Sequence, residues 1–390
     1  MIDKSNFFVN IQAFKLEDLN NFIQEKEKKS PNTSVSKHWI IKNELKPVDL
    51  YCYLHAKFGP PNGLLTMCRR EDSDNLIQWD WMLKTVSGTV WIQGHNFRTE
   101  IFVIGKMEDT KFTVEDFISQ IKFDFKNHGK EISNTKKSLE KWTEFVNPFC
   151  RIKTTVNHHF SKLAELELDI SKDRIPNIFD LEHEHKWTEI TNKYHFAIGL
   201  IYGLRSMLPV MAESFINCLI FILCRPEIKS NQRLFDTTIR QPIDIRIQSL
   251  HLNCQYFVEP IDYTSDECKK FHTLMNERND MLHGNINISK QSFGEVYFNK
   301  NMAIYDTYQD HWEKSIGILI ESVKFHTIHE DHKIVENFIE YILSKIDPKA
   351  RKELEILLGT SFLGFNAKTG RIGLLFPSHF ADFKPFLEKT

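Results

Sequence analysis

Regularly spaced cysteines are missing from this sequence. Its seven cysteines are scattered and odd in number, and no two of them form a Cys-x-x-Cys pair. Structural zinc sites and disulfide frameworks both depend on such spacings. We therefore expect reduced thiols in a cytosolic protein, with no metal and no other cofactor.

A targeting signal and a membrane-spanning run are missing as well. The first eight residues, Met-Ile-Asp-Lys-Ser-Asn-Phe-Phe, lack the basic start and the apolar core of a signal peptide. The most apolar run, 214–224, has eleven residues without a charge, which is too short to cross a bilayer. We expect this run to form a buried core helix, and the protein to be cytoplasmic with no membrane partner.

Excess charge of one sign, internal repeats and low-complexity linkers are also absent. The net charge of -2 excludes a global attraction for nucleic acid. Any RNA binding must then come from a local basic patch, or from a partner that brings the substrate. The 41% hydrophobic and 26% charged residues are ordinary for a soluble globular protein. A length of 390 residues is enough for two or three domains.

Runs of β-branched and aromatic residues dominate the chain between residues 37 and 105. Glycine and proline clusters such as Gly59-Pro60-Pro61-Asn62-Gly63 separate these runs, as expected for antiparallel strands joined by turns. A lead strand around residues 7–11 and a charged helix precede them. The predicted strands are 38–41, 50–54, 64–67, 76–81, 89–92 and 100–104.

Helical periodicity takes over after these strands. Thr113 is predicted to cap one helix, and Ser133 or Asn134 to cap another that carries Leu139, Trp142 and Phe145. Further helices are predicted at 150–166, 187–224, 231–257 with an interruption at 241–242, 309–325, 331–346 and 349–358. A short strand is predicted at 294–298, and a hairpin at 362–376 with its turn at 366–371.

These patterns predict an α+β protein in three parts. An antiparallel β-rich recognition domain is expected at 1–130, and a mainly α-helical domain at 131–330. The C-terminal helices and small hairpin, 331–390, are expected to pack on the helical domain.

The segment from residue 264 to residue 284 carries the clearest helix signals in the chain. Ser265 or Thr264 caps its start, and Asp266 and Glu267 occupy the first turn, where the helix dipole favours negative charge. Gly284 stands where a left-handed residue would end the helix.

One stripe of this helix is apolar at helical spacing and should face a core. Its members are Phe271, Leu274, Met275 and Leu282. Arg278 falls in phase with them, where a charge is unexpected. A second face of the helix is wholly polar and consists of His272, Asn276, Asn279 and His283.

Arg278 and His283 have the chemistry needed to cleave a phosphodiester without a metal. They are five residues apart, about 140° around the helix, and an arginine can swing toward an imidazole at the helix end. A guanidinium binds phosphate bidentately, and a histidine can give or take a proton near neutral pH. The alternative is a partly buried arginine satisfied by a carboxylate, with a helix-end histidine favoured by the dipole.

The segment Arg278-Asn279-Asp280-Met281-Leu282-His283-Gly284 resembles the R-x-x-x-x-H motif of the HEPN superfamily, whose helical domains include many metal-independent ribonucleases. In that family the motif lies near a helix end, and a polar residue such as Asn279 often follows the arginine. The resemblance covers about residues 135 to 330, although its specific residues are only those of the motif. It implies an HEPN-like bundle in which Arg278 holds the scissile phosphate, His283 is the general acid or base and Asn279 supports them. It also implies a homodimer with a composite cleft for RNA.

The order of the two main parts also resembles ApeA-type anti-phage proteins, in which a strand-rich module precedes a helical HEPN domain. This second resemblance rests on the order of the two parts alone, because no residue pattern in the strands supports it. It implies RNA cleavage in antiviral defence, or as a toxin, with the N-terminal module sensing a phage-derived trigger.

Polar residues interrupt the apolar helix at Glu213, Ser214 and Asn217, and we expect all three to face the motif helix. Many HEPN proteins have a polar residue on a helix facing the motif, which makes Glu213 a further catalytic candidate. The alternative is an internal network that fixes helix packing, since buried polar groups must be hydrogen-bonded.

Two histidine-rich segments could imitate a metal site. One is His183-Glu184-His185 with His195 nearby, and the other contains His326, His329 and His332. Neither has the His-Glu-x-x-His spacing of zinc enzymes. We interpret the first as a solvated loop and the second as a helix junction.

The residues alone leave three functions open. The leading hypothesis is a metal-independent endoribonuclease that forms a 2′,3′-cyclic phosphate. The second is a non-catalytic dimerisation module that binds RNA or protein. The third is a carbohydrate- or small-ligand-binding module that uses Trp79, Trp81 and Trp91, which no polar constellation supports. Trp79 and Trp81 would share one face of a strand, and we interpret them as core residues.

Overall fold

The structure, a computed structural model, describes residues 11–29, 31–71, 75–85, 88–105, 113–175, 184–286, 288–308 and 310–375. Most of the predicted lead strand and His183 lie outside these ranges, as do the side chains of Glu184 and His185. The protein is a mixed α+β chain with an antiparallel sheet toward its N-terminus, as predicted.

The chain divides into two compact units. The first comprises residues 1–143, 366–371 and 375–390, and the second comprises residues 144–365 and 372–374. The sequence instead suggested boundaries at 130 and 330. The difference arises because the helix at 129–138 packs within the first unit, while residues 331–365 belong to the second.

The first unit contains an antiparallel sheet. Its strands are β1 (Gln12–Ala13), β2 (Val35–Ile41), β3 (Ile77–Lys84), β4 (Thr89–His95) and β5 (Thr99–Ile104). They lie in the order β1-β3-β4-β5-β2. The register sets Ile92 on β4 opposite Trp81 on β3 and Ile101 on β5. These three side chains are completely buried and form one row of the core.

Helices cover this sheet, and two of them correct the sequence prediction. The helices are α1 (Leu16–Glu27), α2 (Pro47–Phe58), α3 (Leu64–Met67), α4 (Val114–Asp124) and α5 (Gly129–Ser138). The strands predicted at 50–54 and 64–67 are therefore wrong. Pro47 is the first residue of α2, a position at which proline favours helix initiation. Leu50, Tyr53 and Leu54 recur at helical spacing and lie in the core. Burial of that stripe outweighs the β propensity of the Tyr-Cys-Tyr run.

Trp79 and Trp81 are core residues, as interpreted from the sequence. Their ring centroids are 5.4 Å apart in an edge-to-face arrangement, and Tyr51 of α2 lies 5.4 Å from Trp81. A Cβ atom at Gly94 would lie 2.0 Å from the Trp79 ring, so only glycine fits beneath that indole. Trp79 and Trp81 thus hold α2 on the sheet.

The second unit is mainly helical. Its helices are α6 (Pro148–Glu165), α7 (Ile170–Asp173), α8 (Glu184–Leu223), α9 (Pro226–Lys229), α10 (Gln232–Arg240), α11 (Ile243–Gln248), α12 (Leu250–Asn253), α13 (Asp266–His283), α14 (Ile288–Gln291), α15 (Ile318–Ser322), α16 (Ile328–Ser344) and α17 (Pro348–Leu358). A π-helical turn, Glu313–Gly317, precedes α15. Helices predicted across 150–166, 187–224, 231–257, 331–346 and 349–358 are confirmed.

Short strands complete the second unit. They are β6 (Thr143–Val146), β7 (Val296–Asn299), β8 (Met302–Tyr305), β9 (Phe362–Phe365) and β10 (Ile372–Gly373). β10, β9 and β6 form one sheet in that order, and β7 and β8 form a separate hairpin. The predicted C-terminal hairpin is confirmed as far as residue 375. The helix predicted through Leu139, Trp142 and Phe145 is wrong, because α5 ends at Ser138 and the chain then enters β6.

Helix α8 is the centre of the helical core and packs on α6, α13 and α16. Phe271 of α13 stacks on Phe338 of α16 with ring centroids 4.2 Å apart. Among the described residues α8 is also the one helix long and apolar enough to cross a membrane, and 61% of its most apolar window is buried inside the protein. Phe215, Ile216 and Leu219 are fully buried, which confirms that the run 214–224 lies in a core helix.

Candidate active site

The end of α13 carries the motif residues, and local interactions fix both ends of that helix. Ser265 caps the start by accepting a hydrogen bond from the Cys268 backbone N–H at 3.3 Å. Gly284 ends the helix in a left-handed conformation with φ of 61°. These two predicted caps are confirmed.

The apolar stripe of α13 is buried only in its first part. Cys268, Phe271, Leu274 and Met275 belong to the helical core. Leu282, which we expected on the buried stripe, is exposed. The core ends at Met275, so about two turns of α13 extend beyond it. Arg278 stands at the start of this extension, half-buried rather than enclosed.

No carboxylate among the described residues pairs with Arg278. Its Nη1 donates a hydrogen bond to the Asn279 side-chain oxygen at 2.8 Å. Its Nε is buried and has no partner among the described residues. An arginine satisfied by a carboxylate was the structural alternative to a catalytic role, and the described residues supply no such partner.

A cleft of about 570 Å³ lies beside Arg278. It is lined by α8, α13 and the segment around α15, together with Asp331 of α16. The charged side chains that line it are three cations, Arg205, Arg278 and Lys324, and three carboxylates, Glu277, Asp280 and Asp331. The described residues therefore give the cleft of one chain a balanced formal charge.

Arg205 of α8 is fully engaged inside the protein. Its Nη2 lies 2.8 Å from Asp331 Oδ2, an ion pair without hydrogen-bond alignment, and donates to Thr327 Oγ1 at 2.6 Å. Its Nε donates to the Val323 carbonyl at 2.7 Å. Arg205 therefore ties α8 to the segment before α16 and neutralises the Asp331 carboxylate in the first turn of α16. Burial raises the pKa of the Asp331 carboxyl, although Arg205 beside it acts in the opposite direction.

Lys324 is likewise paired with a carboxylate, and its backbone conformation is unusual. It stands two residues after the end of α15 with φ of 48°, in the left-handed region that most non-glycine residues avoid. Its Nζ lies 2.8 Å from Glu277 Oε1, and Glu277 Oε2 lies 3.5 Å from Arg205 Nη1. Of the three cations, Arg278 is thus the one that lacks a carboxylate in the described chain.

His283 occupies the last position of α13 and is exposed. It does not line the cleft, and no described residue forms a hydrogen bond with its ring. The angle of about 140° between residues five apart explains the separation from Arg278, whose Nη1 turns to Asn279 instead. Within one chain, the structure brings Arg278 and Asn279 together and leaves His283 open to solvent.

Glu213 lies in a different polar cluster. Its Oε1 accepts a hydrogen bond from Arg246 Nη2 at 2.5 Å, and Asn217 accepts another from Arg246 Nη1. Arg246 is buried on α11, so this cluster fastens α11 to α8. Glu213 is absent from the lining of the cleft beside Arg278, and the expectation that Glu213 and Asn217 turn toward the motif helix is not met.

No group of three or more metal-ligating side chains occurs within the described ranges. His183 falls outside them. His329 and His332 stack against Phe160 at 5.2 and 4.8 Å, between α6 and α16.

Arg205, Lys324 and Asp331 were missed by the sequence reasoning. Arg205 had a detectable signal, because it is the only charged residue between Phe196 and Ala212 in an otherwise apolar helix. Pro209, four residues on, lacks the N–H that would bond the Arg205 carbonyl. Lys324 and Asp331 had no comparable signal, since only tertiary packing brings them to α13.

Comparison of the chain with protein-family models, with curated proteins and with solved structures finds no match.

Proposed function

We propose that this protein is a metal-independent endoribonuclease of the HEPN type. The observation that carries the proposal is Arg278, a half-buried guanidinium at an open cleft with no carboxylate partner among the described residues. A half-buried guanidinium that no described carboxylate neutralises is available to an anionic ligand. A phosphodiester supplies that anion, and a guanidinium binds it bidentately.

Arg278 would hold the scissile phosphate and stabilise the charge that develops on it. The ribose 2′-hydroxyl attacks the phosphorus, and the bond to the 5′ oxygen of the next nucleotide breaks. The products are a 2′,3′-cyclic phosphate and a 5′-hydroxyl. Asn279 supports the reaction by orienting the guanidinium through its 2.8 Å hydrogen bond.

The reaction requires two proton transfers, one from the 2′-hydroxyl and one to the leaving oxygen. The motif of one chain offers one histidine for these transfers, His283, which is exposed and outside the cleft lining. Two copies facing each other would supply two histidines, one as base and one as acid. This need supports a homodimer in which the two motif helices build one composite cleft.

The remaining parts of the proposal concern biological role. The sheet unit acts as a recognition part that senses a trigger, which in an anti-phage system comes from the phage. The protein acts in the cytoplasm on host or viral RNA. The buried Asp80 of the sheet unit is fully hydrogen-bonded by Thr66, Leu65 and Trp91, so its carboxylate has a structural role.

The balanced charge of the cleft favours a second candidate, a non-catalytic module that binds RNA or protein. In that case Arg278 would recognise an anionic group without cleavage, and His283 would have no chemical role. The two candidates differ in one observable, the breaking of a phosphodiester bond.

RNA cleavage by the purified protein in EDTA tests the proposal. We expect shortened RNA with 2′,3′-cyclic phosphate ends, and the loss of those products in His283→Ala. His272→Ala is the matched control, because His272 is an exposed histidine on the same helix whose ring bonds Tyr263. RNA binding without any cleavage would overturn the nuclease proposal in favour of the binding module.

A further inference from the structure

The hairpin formed by β7 and β8 is exposed on both of its faces. The register pairs Val296 with Tyr305 and Tyr297 with Ile304. Because side chains alternate along a strand, one face carries Val296, Phe298 and Tyr305, and the other carries Tyr297, Met302 and Ile304. All six side chains are between 37% and 69% exposed. A two-stranded sheet with no cover is marginally stable in water.

Close contacts nevertheless hold the base of this hairpin in place. A Cβ atom at Gly294 would lie 2.4 Å from Thr307 Oγ1, so the two ends of the hairpin approach closely there. Lys314 lies over the rings of Tyr305 and Tyr308 at 5.2 and 4.4 Å. The hairpin is therefore anchored at its base, while its apolar faces remain uncovered.

The apolar surface continues toward the motif helix. Ile286, Ile288 and Phe293, between α13 and β7, are also exposed. A whole aromatic side chain offers about 150–250 Å². These nine side chains together then expose an area on the order of 800 Å², which is what one partner contributes to a standard protein interface.

Charge argues against a nucleic acid or an anionic membrane as the occupant. Between Ile286 and Tyr305 the charged residues are Lys290, Glu295 and Lys300, a net charge of only +1. An arm that binds anionic surfaces would instead carry several lysines or arginines. An apolar surface that is nearly neutral and carries charges of both signs can be self-complementary across a two-fold axis.

We infer that this hairpin, with the apolar segment before it, is the surface through which a second copy of this chain docks. Among the described residues no third strand pairs with β7 or β8, so both hairpin edges are open to the partner copy. Gln291, which lines the cleft, lies within the segment before the hairpin, between Ile288 and Phe293. A copy bound here is therefore held beside the Arg278 cleft. The inference supplies the contact surface for the proposed dimer but does not depend on catalysis.

Light scattering after size-exclusion chromatography at micromolar concentration tests this surface. We expect twice the chain mass of 46.1 kDa for the wild-type protein. Tyr297→Glu and Phe298→Glu, one on each face, should weaken the dimer at least about tenfold. Phe97→Glu is the matched control, because Phe97 is an 81% exposed phenylalanine outside the hairpin.

A monomeric wild-type protein, or dimers that persist in both hairpin variants, would overturn the inference. Binding of the wild-type protein to uncharged phosphatidylcholine vesicles that is lost in the two variants would overturn it in favour of a membrane. Hydrogen exchange provides a second readout, since the amides of residues 296–305 should become protected as concentration rises. Monomeric variants that still cleave RNA would leave this surface standing and refute the need for a composite cleft.

Discussion

Arg246 lies on α11 and Arg278 lies on α13, both in the second unit. The two differ in whether a described carboxylate pairs with the guanidinium. Arg246 is buried between Glu213 and Asn217, which both accept its hydrogen bonds. Among the described residues Arg278 bonds the neighbouring Asn279 and no other, and it faces an open cleft. The Arg246 arrangement is a packing contact, in which Glu213 neutralises the guanidinium charge inside the fold. The Arg278 arrangement leaves a cation available to a ligand.

The other two cations of the cleft sharpen this contrast. Arg205 and Lys324 line the same cleft as Arg278, yet each is paired with a carboxylate. A charge lining a cleft is therefore not enough to indicate function. Arg278 is distinguished by the lack of a neutralising carboxylate among the described residues.

The largest effect on stability is expected for Arg246→Ala. The substitution leaves Glu213 and Asn217 without their partner and should lower the free energy of unfolding by about 3 kcal/mol. That is the low end for a broken buried pair, because Glu213 retains partial exposure. Urea denaturation measures the change. Arg233→Ala, at an exposed arginine of α10, should cost less than about 0.5 kcal/mol. Equal costs at the two positions would remove the distinction between paired and exposed arginines.

In the sheet unit, the stabilising effect of charge pairing can be tested by varying the pH, because Asp124 is a paired carboxylate with a shifted pKa. Burial raises the pKa of Asp124, but hydrogen bonds from Lys57 at 2.5 Å and Tyr53 at 2.7 Å outweigh it and lower the pKa to about 2. A lowered folded-state pKa stabilises the protein above the unfolded value of 3.8, and this stabilisation is lost as the pH falls toward about 2.

Asp124→Asn should therefore be less stable than the wild type by about 2 kcal/mol at pH 7. The difference should shrink between about pH 4 and pH 2, because the wild-type carboxylate becomes protonated there. Denaturation curves collected across that range measure it. A difference that stays constant with pH would mean that the Asp124 charge contributes nothing.

A smaller effect is expected at the cleft for Glu277→Gln. Glu277 is more than one-third exposed, so its loss should change stability by less than about 1 kcal/mol. Lys324 and Arg205 would then be less neutralised, and RNA should bind more tightly with a steeper salt dependence. Filter binding at several salt concentrations, with exposed Glu353→Gln as control, measures the change. Weaker binding would indicate that RNA does not enter this cleft.

The sequence predicted the motif helix well because its signals are local. Ser265, the acidic first turn and Gly284 each act within a few residues, and the structure confirms the capping interactions of Ser265 and Gly284. Arg278 was singled out by its place on an apolar stripe. These features require no knowledge of the rest of the fold.

Tertiary contacts explain what the sequence missed. Residues 50–54 were assigned to a strand from their aromatic content, although Pro47 and the spacing of Leu50, Tyr53 and Leu54 already favoured a helix. The bond between Glu213 and Arg246 joins residues 33 positions apart and left no periodic signal. Lys324 bonds Glu277, 47 positions away in the chain, and has a left-handed backbone, which no propensity favours.

The most direct test of the account is Arg278→Ala, with RNA cleavage in EDTA and the free energy of unfolding measured on the same preparation. No carboxylate among the described residues pairs with Arg278, so the variant should unfold within about 1 kcal/mol of the wild type. Its cleavage rate should fall at least about 100-fold, as expected when a group that stabilises transition-state charge is removed. A variant that melts like the wild type and cleaves RNA at an undiminished rate would contradict the account.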